Sequence, residues 1–298
     1  MNNPLFVSVV IVTRNRSVIL SRCLHSVFAQ DYADMEVIVI DNDSTDETAQ
    51  MLKNTYPSVI VLHQQNNTGA PEGRNIGVHK AKGDICIFID DDAEFTDNQS
   101  IRKSTEYFLK NSNLACLSMR IVDQDNKIVR KLIPRRDRKV ITEDTPGALF
   151  VTTGCALRRT AFMDAGEFWE DLNPYFGEEP ELSYRLLDKG YNILLTPHII
   201  VRHYEEKLER HPGRRMYFGT RNAPWFILRN LPWYSVIGLT TLAWGYFFLI
   251  ATRDRQLPMY FKAVFDSIKH MSAVYRIRKP IGPHAVAMLW KHSGLILF

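Results

Sequence analysis

The sequence predicts an α/β protein with a mostly parallel sheet, continued by a basic, apolar helical region. Three observations carry this. Short β-branched or apolar runs alternate with amphipathic segments from residue 6 onward, the pattern of a doubly wound sheet. Two of those runs end directly in acidic clusters, Asp41-Asn42-Asp43 and Asp90-Asp91-Asp92. Such clusters fall at the carboxyl edge, where open α/β sheets bind ligands. Charge then divides the chain: residues 1–203 carry 23 Lys+Arg against 28 Asp+Glu, and residues 204–298 carry 14 against 5.

The elements follow in order. Phe6 to Val12 is β-branched and reads as a central strand, ending at Thr13-Arg14-Asn15-Arg16. Ile19, Leu20, Cys23, Leu24, Val27 and Phe28 recur at helical spacing. Glu36 to Ile40 is the second strand, and Ser44-Thr45-Asp46-Glu47 has the spacing of a capping box opening a helix. Val59 to His63 is the third strand. The glycine-rich run Asn66 to Gly77, with Arg74 inside it, reads as a loop that lets backbone approach a phosphate before a helix at Val78–Lys82.

Ile85 to Ile89 is a buried-looking strand running into the three aspartates. Adjacent carboxylates repel, and a divalent cation with hard oxygen ligands is one way to compensate them. Ser100–Asn111 reads as a helix and Leu114–Val122 as a strand. Residues 123–146 are polar and read mainly as a solvated loop, with Arg135-Arg136-Asp137-Arg138-Lys139 as a contact for phosphate or acceptor. Gly154 to Arg159 is a short strand entering a helix at Thr160–Ala165. Glu178 and Glu179 precede Pro180, so they sit at a helix N-terminus, with Gly190 as its stop. Asn192–Leu195 and His198–His203 close the acidic part.

Composition narrows the class. Hydrophobic content of 45% and charged content of 23% suit a folded globular chain. The four cysteines, Cys23, Cys86, Cys116 and Cys155, match no zinc or disulfide spacing and fit a reducing compartment. No secretory signature opens the chain, so a cytoplasmic location is expected. The glycine-rich run lacks the Gly-Lys-Ser/Thr of a P-loop and does not follow the first strand as a dinucleotide fingerprint would.

Taken together, the motifs resemble the family 2 glycosyltransferases, inverting enzymes of the GT-A fold, including rhamnosyltransferase-like and related glycan-assembly members. The resemblance rests on 7–16, 41–46, 67–77, 88–93, 154–159 and 177–186, and covers about residues 5–205. It implies a Rossmann-like catalytic domain at 1–205, with 206–298 as a helical extension. It also implies a nucleoside-diphosphate sugar donor and Mg²⁺ or Mn²⁺. By the same resemblance Thr13 and Arg14 line the nucleotide, Asp41 and Asn42 read a uracil or thymine ring, and Arg74 lies near base and diphosphate. Asp90 and Asp91 face the nucleoside, Asp92 the metal. Glu179, beside Glu178, takes the place of the general base, where the family usually has Asp. His203 is similar to a histidine that some members add as a metal or diphosphate contact.

The implied chemistry is a single displacement. A carboxylate accepts the acceptor's proton while the sugar–diphosphate bond breaks, so one base suffices. UDP- and dTDP-linked donors both fit, and the acceptor is read as a glycan or lipid-linked glycan, with no nucleic acid expected. The Gln-x-x-Arg-Trp motif of processive synthases is absent, which favours adding one sugar. A nucleotidyltransferase and a degenerate, membrane-bound scaffold are the competing readings. The first lacks its Gly-rich signature at Thr13–Ser17, and intact Asp90–Asp92 and Glu179 oppose the second.

Residues 230–252 hold no charged residue and are long enough to span a bilayer. A single crossing would export either the catalytic part or the basic tail, against the positive-inside tendency. The expectation is therefore helices lying on or dipping into the cytoplasmic leaflet. Burial against the catalytic part or in a homodimer interface is the alternative. Removing the chain from about residue 230 onward is expected to release it from membranes, and His211-Pro212-Gly213-Arg214-Arg215 reads as a flexible basic loop.

Overall fold

The computed structural model describes residues 4–204 and 213–292. Strands β1 (Val7–Thr13), β2 (Met35–Asp41), β3 (Ile60–His63) and β4 (Ile85–Ile89) pair in parallel in the order β3-β2-β1-β4. Helices α1 (Ser17–Phe28), α2 (Thr48–Thr55) and α3 (Ala70–Lys80) connect them. This is the half that strand–helix alternation predicts. The other half is mixed. Strand β8 (Gly154–Arg158) lies antiparallel between β4 and β6 (Leu114–Val122), and β9 (Asn192–His203) is parallel to β6. The short β5 (Ala93–Phe95) and β7 (Thr145–Gly147) run antiparallel to β9. A parallel pair needs a crossover, whereas β8 is reached over the long connection after β6 and can enter from either end.

Alternation within each strand divides the core between the two faces. Val9 and Ile11 of β1, with Ile85 and Ile87 of β4, pack against α1 and α4 (Ser100–Lys110). Val10, Cys86 and Phe88 face the other layer, which includes α5 (Arg159–Ala165) and α6 (Glu178–Asp188). Each fully buried large apolar side chain contributes about 1.5–3 kcal/mol. All four cysteines are buried and free.

Two expectations at 44–82 are corrected. The glycine-rich run is not a loop as far as Val78, because α3 begins at Ala70 and takes Gly73, Arg74 and Gly77 into the helix. A Cβ at Gly77 would stand 2.4 Å from Val10 Cγ1, and one at Gly73 3.0 Å from Val12 Cγ1. These glycines therefore let the helix lie close on the sheet. The capping box at Ser44–Glu47 is not made either. Helix α2 starts at Thr48, whose N–H donates to Asp46 Oδ1, while Ser44 Oγ accepts from Asn15 N–H.

Among the described residues the C-terminal region forms four helices: α7 (Arg214–Asn230), α8 (Trp233–Arg253), α9 (Leu257–Arg276) and α10 (Pro283–His292). Arg214 and Arg215 open α7, so they are not loop residues, while His211 and Pro212 lie outside the described residues. Ala223, Phe226, Val274 and Leu289 of this region join the same core as α5 and α6.

Candidate functional site

Four parallel strands end on one edge, and the acidic residues collect there. Asp41 closes β2, opposite Thr13 at the end of β1, and Asp90–Asp92 follow β4. The turn after β4 leads at once into β5, which pairs Ala93 with His203 of β9. That register sets the His203 imidazole beside Asp92, Nε2 to Oδ1 at 3.0 Å. One atom each from Asp90, Asp92 and His203 can be chosen so that all lie within 4.8 Å of one another. Two carboxylates and an imidazole make a donor set suited to Mn²⁺ and, through the oxygens, to Mg²⁺.

The three aspartates do not behave alike. Asp91 turns inward, accepting from Thr13 Oγ1 at 2.7 Å and from Arg16 NH1 at 2.7 Å. Burial pushes its carboxyl up to about 6, against the pull of Arg16. Asp92 is also buried and takes Arg16 NH1 at 3.1 Å. Burial acts to raise its carboxyl, but the His203 bond and the Arg16 charge outweigh that and hold it below the usual range. Asp90 is partly open and pairs with Arg74 NH2 at 3.1 Å. Sequence reading placed Asp90 and Asp91 together on the nucleoside side, whereas the geometry groups Asp90 with Asp92 and His203.

The carboxylates are balanced by two arginines, Arg16 and Arg74. Arg16 belongs to the Thr-Arg-Asn-Arg run that ends β1, yet nothing in its spacing sets it above Arg14. Arg14 itself is nearly half exposed and pairs only loosely with Asp43, 3.7 Å apart. The left-handed backbone of Asn15, φ 53°, turns the two arginines apart.

Asp41 accepts from Ser44 N–H at 3.0 Å and lies 3.0 Å from His63 Nδ1. Asn42 holds the loop before α3: its amide donates to Asn67 Oδ1 and Gly69 O, and its carbonyl accepts from Thr68 N–H. The Asn42 side chain thus fixes the loop at 67–69.

Arg74 links this edge to the second acidic centre. Its NH1 is 3.5 Å from Glu178 Oε1, and both side chains are buried. Burial, reinforced by Glu179 and opposed by Arg74, pushes the Glu178 carboxyl up to about 8. Burial thus favours the protonated form of Glu178, and Asp90 is the other carboxyl that Arg74 reaches. Glu179 is half-buried, and its Oε1 accepts from Thr152 Oγ1 at 2.9 Å. Thr152 lies two residues before β8, a support that no sequence signal marked. A raised acid pKa means that the folded state holds its proton more tightly than the unfolded chain. The stability this contributes is present at low pH and lost as pH rises from the ordinary glutamate range through about 8. Thermal unfolding should thus show Tm falling between about pH 5.5 and pH 8.5 several degrees more steeply in the wild type than in Glu178→Gln. Parallel curves would remove Glu178 as the titrating group.

The turn that presents both glutamates is held in a costly conformation. Phe176 has φ 93°, rare for a bulky residue, and Gly177 has φ 99°. The buried Asn222 of α7 donates its amide to Leu172 O, Tyr175 O and Phe176 O. The Phe176 ring packs edge-on to Phe247 of α8, centroids 5.7 Å apart. The helical layer thereby sets the backbone of Glu178 and Glu179, which no local motif around Asn222 foretells.

A mixed sheet whose parallel strand ends carry this acidic cluster, with helices on both faces, is a GT-A-type fold. Residues 8–166 match the model of glycosyl transferase family 2, and the chain belongs to that family. It is 35% identical over 91 residues to a GalNAc(5)-diNAcBac-PP-undecaprenol β-1,3-glucosyltransferase of Campylobacter jejuni, covering 29% of each chain. It spans 29% to 45% of the length of three curated relatives of this kind. Among solved structures it is similar to GalNAc-T7 with UDP, GalNAc and Mn²⁺, with TM-score 0.64, 24% identity, and 79% of this chain and 50% of that one covered. It is similar as well to the mannosyltransferase PcManGT from Pyrobaculum calidifontis with GDP-Man and Mn²⁺, with TM-score 0.61, 17% identity, and 97% and 80% covered.

Proposed function

We propose that the protein is an inverting glycosyltransferase, moving one sugar from a UDP- or dTDP-linked donor to a hydroxyl of a glycan or lipid-linked glycan. The observation that carries this is the Asp90, Asp92 and His203 cluster joined through Arg74 to the Glu178–Glu179 turn, in a family 2 chain. Division of labour follows the 205 boundary: residues 1–205 bind the donor and do the chemistry, and 206–298 support the turn and face the membrane.

Asp90, Asp92 and His203 are the residues that would hold a divalent cation. Bound there, it would neutralise charge on the departing diphosphate. Thr13, Arg14, Asp41 and Asn42 form the wall for the base and ribose. Glu179, oriented by Thr152, accepts the acceptor hydroxyl's proton. Glu178, pushed by burial toward its protonated form and tied to Arg74, repels the neighbouring Glu179 less than a full charge would. A thermal-shift screen of nucleotide sugars with Mn²⁺ and with Mg²⁺ tests the reading. Stabilisation that requires both sugar nucleotide and metal supports it. No stabilisation by any nucleotide sugar counts against it.

The C-terminal helices are read as a seat on the cytoplasmic face of a membrane. Among the described residues, α8 alone is long and apolar enough to cross one, and 22% of its apolar window is buried. Val236, Ala243, Phe247 and Ala251 form its inner stripe, while Tyr234, Ile237 and Leu249 stand exposed on the outside. Trp244 Nε1 donates to Thr220 O of α7, and Tyr260 OH of α9 donates to Trp244 O. A crossing α8 would drag Arg221 of α7, and Lys262 and Lys269 of α9, into hydrocarbon, at roughly 2.5–3.5 kcal/mol for each charge near its centre. Lying flat avoids this. On α9, exposed Phe261 and Ile268 are followed by Lys262 and Lys269, and exposed Phe265 by Asp266, which pairs with Lys262. Residues 213–292 carry 12 Lys+Arg and two acids, which suits an anionic surface. A homodimer through this face is the other cover.

Truncation near residue 230 is a poor test, since Val274 and Leu289 belong to the core. Charging the outer face is better. Ile237→Glu, Leu249→Glu and Phe265→Glu together should abolish flotation with phosphatidylglycerol vesicles and leave Tm unchanged. Retained flotation, or a wild type that never floats, ends the membrane reading.

A further inference from the structure

Arg16 occupies a position that none of the chemistry above requires. Its NH1 lies 2.7 Å from Asp91 Oδ1 and 3.1 Å from Asp92 Oδ2, while Asp92 Oδ1 faces His203 Nε2 at 3.0 Å. Both oxygens of Asp92 are therefore engaged by this chain's own groups. The carboxylate is fixed, with its side chain 4% exposed, but the arginine is 25% exposed and reaches in from the segment between β1 and α1. The more accessible partner of the pair is the arginine. A divalent ion ligated by Asp92 would stand close to a guanidinium on the same carboxylate, and two cations that close repel strongly in a partly buried site. A diphosphate offers the planar guanidinium pairs of anionic oxygens that match its parallel N–H donors.

We infer that Arg16 is a resident counterion that competes with the divalent cation for Asp92, so that the cation binds tightly only together with a nucleoside diphosphate, whose phosphates draw the guanidinium away. The inference rests on the cation half of the proposed function. It adds that metal capture is conditional on donor. In the donor-free protein the acidic cluster is neutralised from within and has little affinity for stray metal. When the donor arrives, one positive charge moves from carboxylate to phosphate, and the vacated oxygen of Asp92 becomes available to the ion. Arg74 does not serve this purpose, because it is buried between Asp90 and Glu178 and anchored at both ends.

The test is Mn²⁺ affinity, followed by the electron-paramagnetic-resonance signal of free Mn²⁺, on the full chain. Wild type, Arg16→Gln, Arg16→Met and Arg16→Lys are compared without nucleotide and then with UDP or dTDP. Near-ultraviolet circular dichroism reports whether each variant keeps its fold, and the two neutral variants back one another. Without nucleotide, the neutral variants should bind Mn²⁺ at least about tenfold tighter than wild type, and Arg16→Lys should stay near it. Nucleoside diphosphate should tighten Mn²⁺ binding in the wild type by more than about tenfold and in the neutral variants by much less. Equal Mn²⁺ affinity across wild type and folded neutral variants overturns the inference and leaves the cation site standing. Absence of Mn²⁺ binding in every protein, with and without nucleotide, overturns the cation site and this inference with it.

Discussion

Glu179→Gln is expected to lower sugar transfer on the order of 10²–10⁴-fold, the range that a positioned general base contributes. The substitution keeps the shape of the side chain and the acceptor oxygen for Thr152 Oγ1, 2.9 Å away in the wild type. It removes only the capacity to take up a proton. Donor affinity and Tm should therefore stay near wild type, and the whole loss should appear in turnover. Glu178→Gln is the control, since burial pushes that carboxyl up to about 8 and it is tied to Arg74. Its effect on turnover should be smaller than that of Glu179→Gln by at least about tenfold. If the order is reversed, the base is Glu178 and its contact with Arg74 breaks in the working enzyme.

Asp92→Asn carries the second large effect. The side chain faces His203 on one oxygen and Arg16 on the other. An amide keeps its size but loses the charge that both partners and a divalent ion need. Transfer should fall about 10²–10³-fold, comparable to removing a preorganised electrostatic contact from an active site. Mn²⁺ should also cease to stabilise the nucleotide complex in a thermal-shift measurement. Both readouts are needed, because a carboxylate that merely supported His203 would weaken metal binding only modestly. Wild-type metal dependence in Asp92→Asn would move the cation elsewhere.

These effects arise from residues that differ in how visible they were. Asp90–Asp92 stood out because an apolar run, Ile85–Ile89, ends in charge with nothing between. Glu178 and Glu179 stood out because Pro180 marks a helix start. Local chemistry of that sort survives folding, so the strand, the acids and the helix fell where expected. Arg16 and Thr152 did not stand out, since one arginine in a basic loop and one threonine before a strand look like many others. The glycines at 73 and 77 misled, because a glycine needed for close helix–sheet contact has the same letter as one needed for a phosphate loop.

By itself the sequence determined the alternation of strands and helices, the edge on which the acids gather, the family motifs and the basic, apolar character of 204–298. These depend on periodicity, caps and charge, which act over a few residues. Tertiary structure alone decided the pairing of those charges. Arg16 meets Asp91 and Asp92 across 75 and 76 residues, and Arg74 meets Glu178 across 104. It also decided that Asn222 and Phe247, from the far end of the chain, hold the turn of Phe176 and Gly177 that aims the two glutamates. The reason is burial. Removed from water, each carboxylate needs a specific partner within hydrogen-bond reach, and the fold rather than the local sequence chooses which residue can reach it.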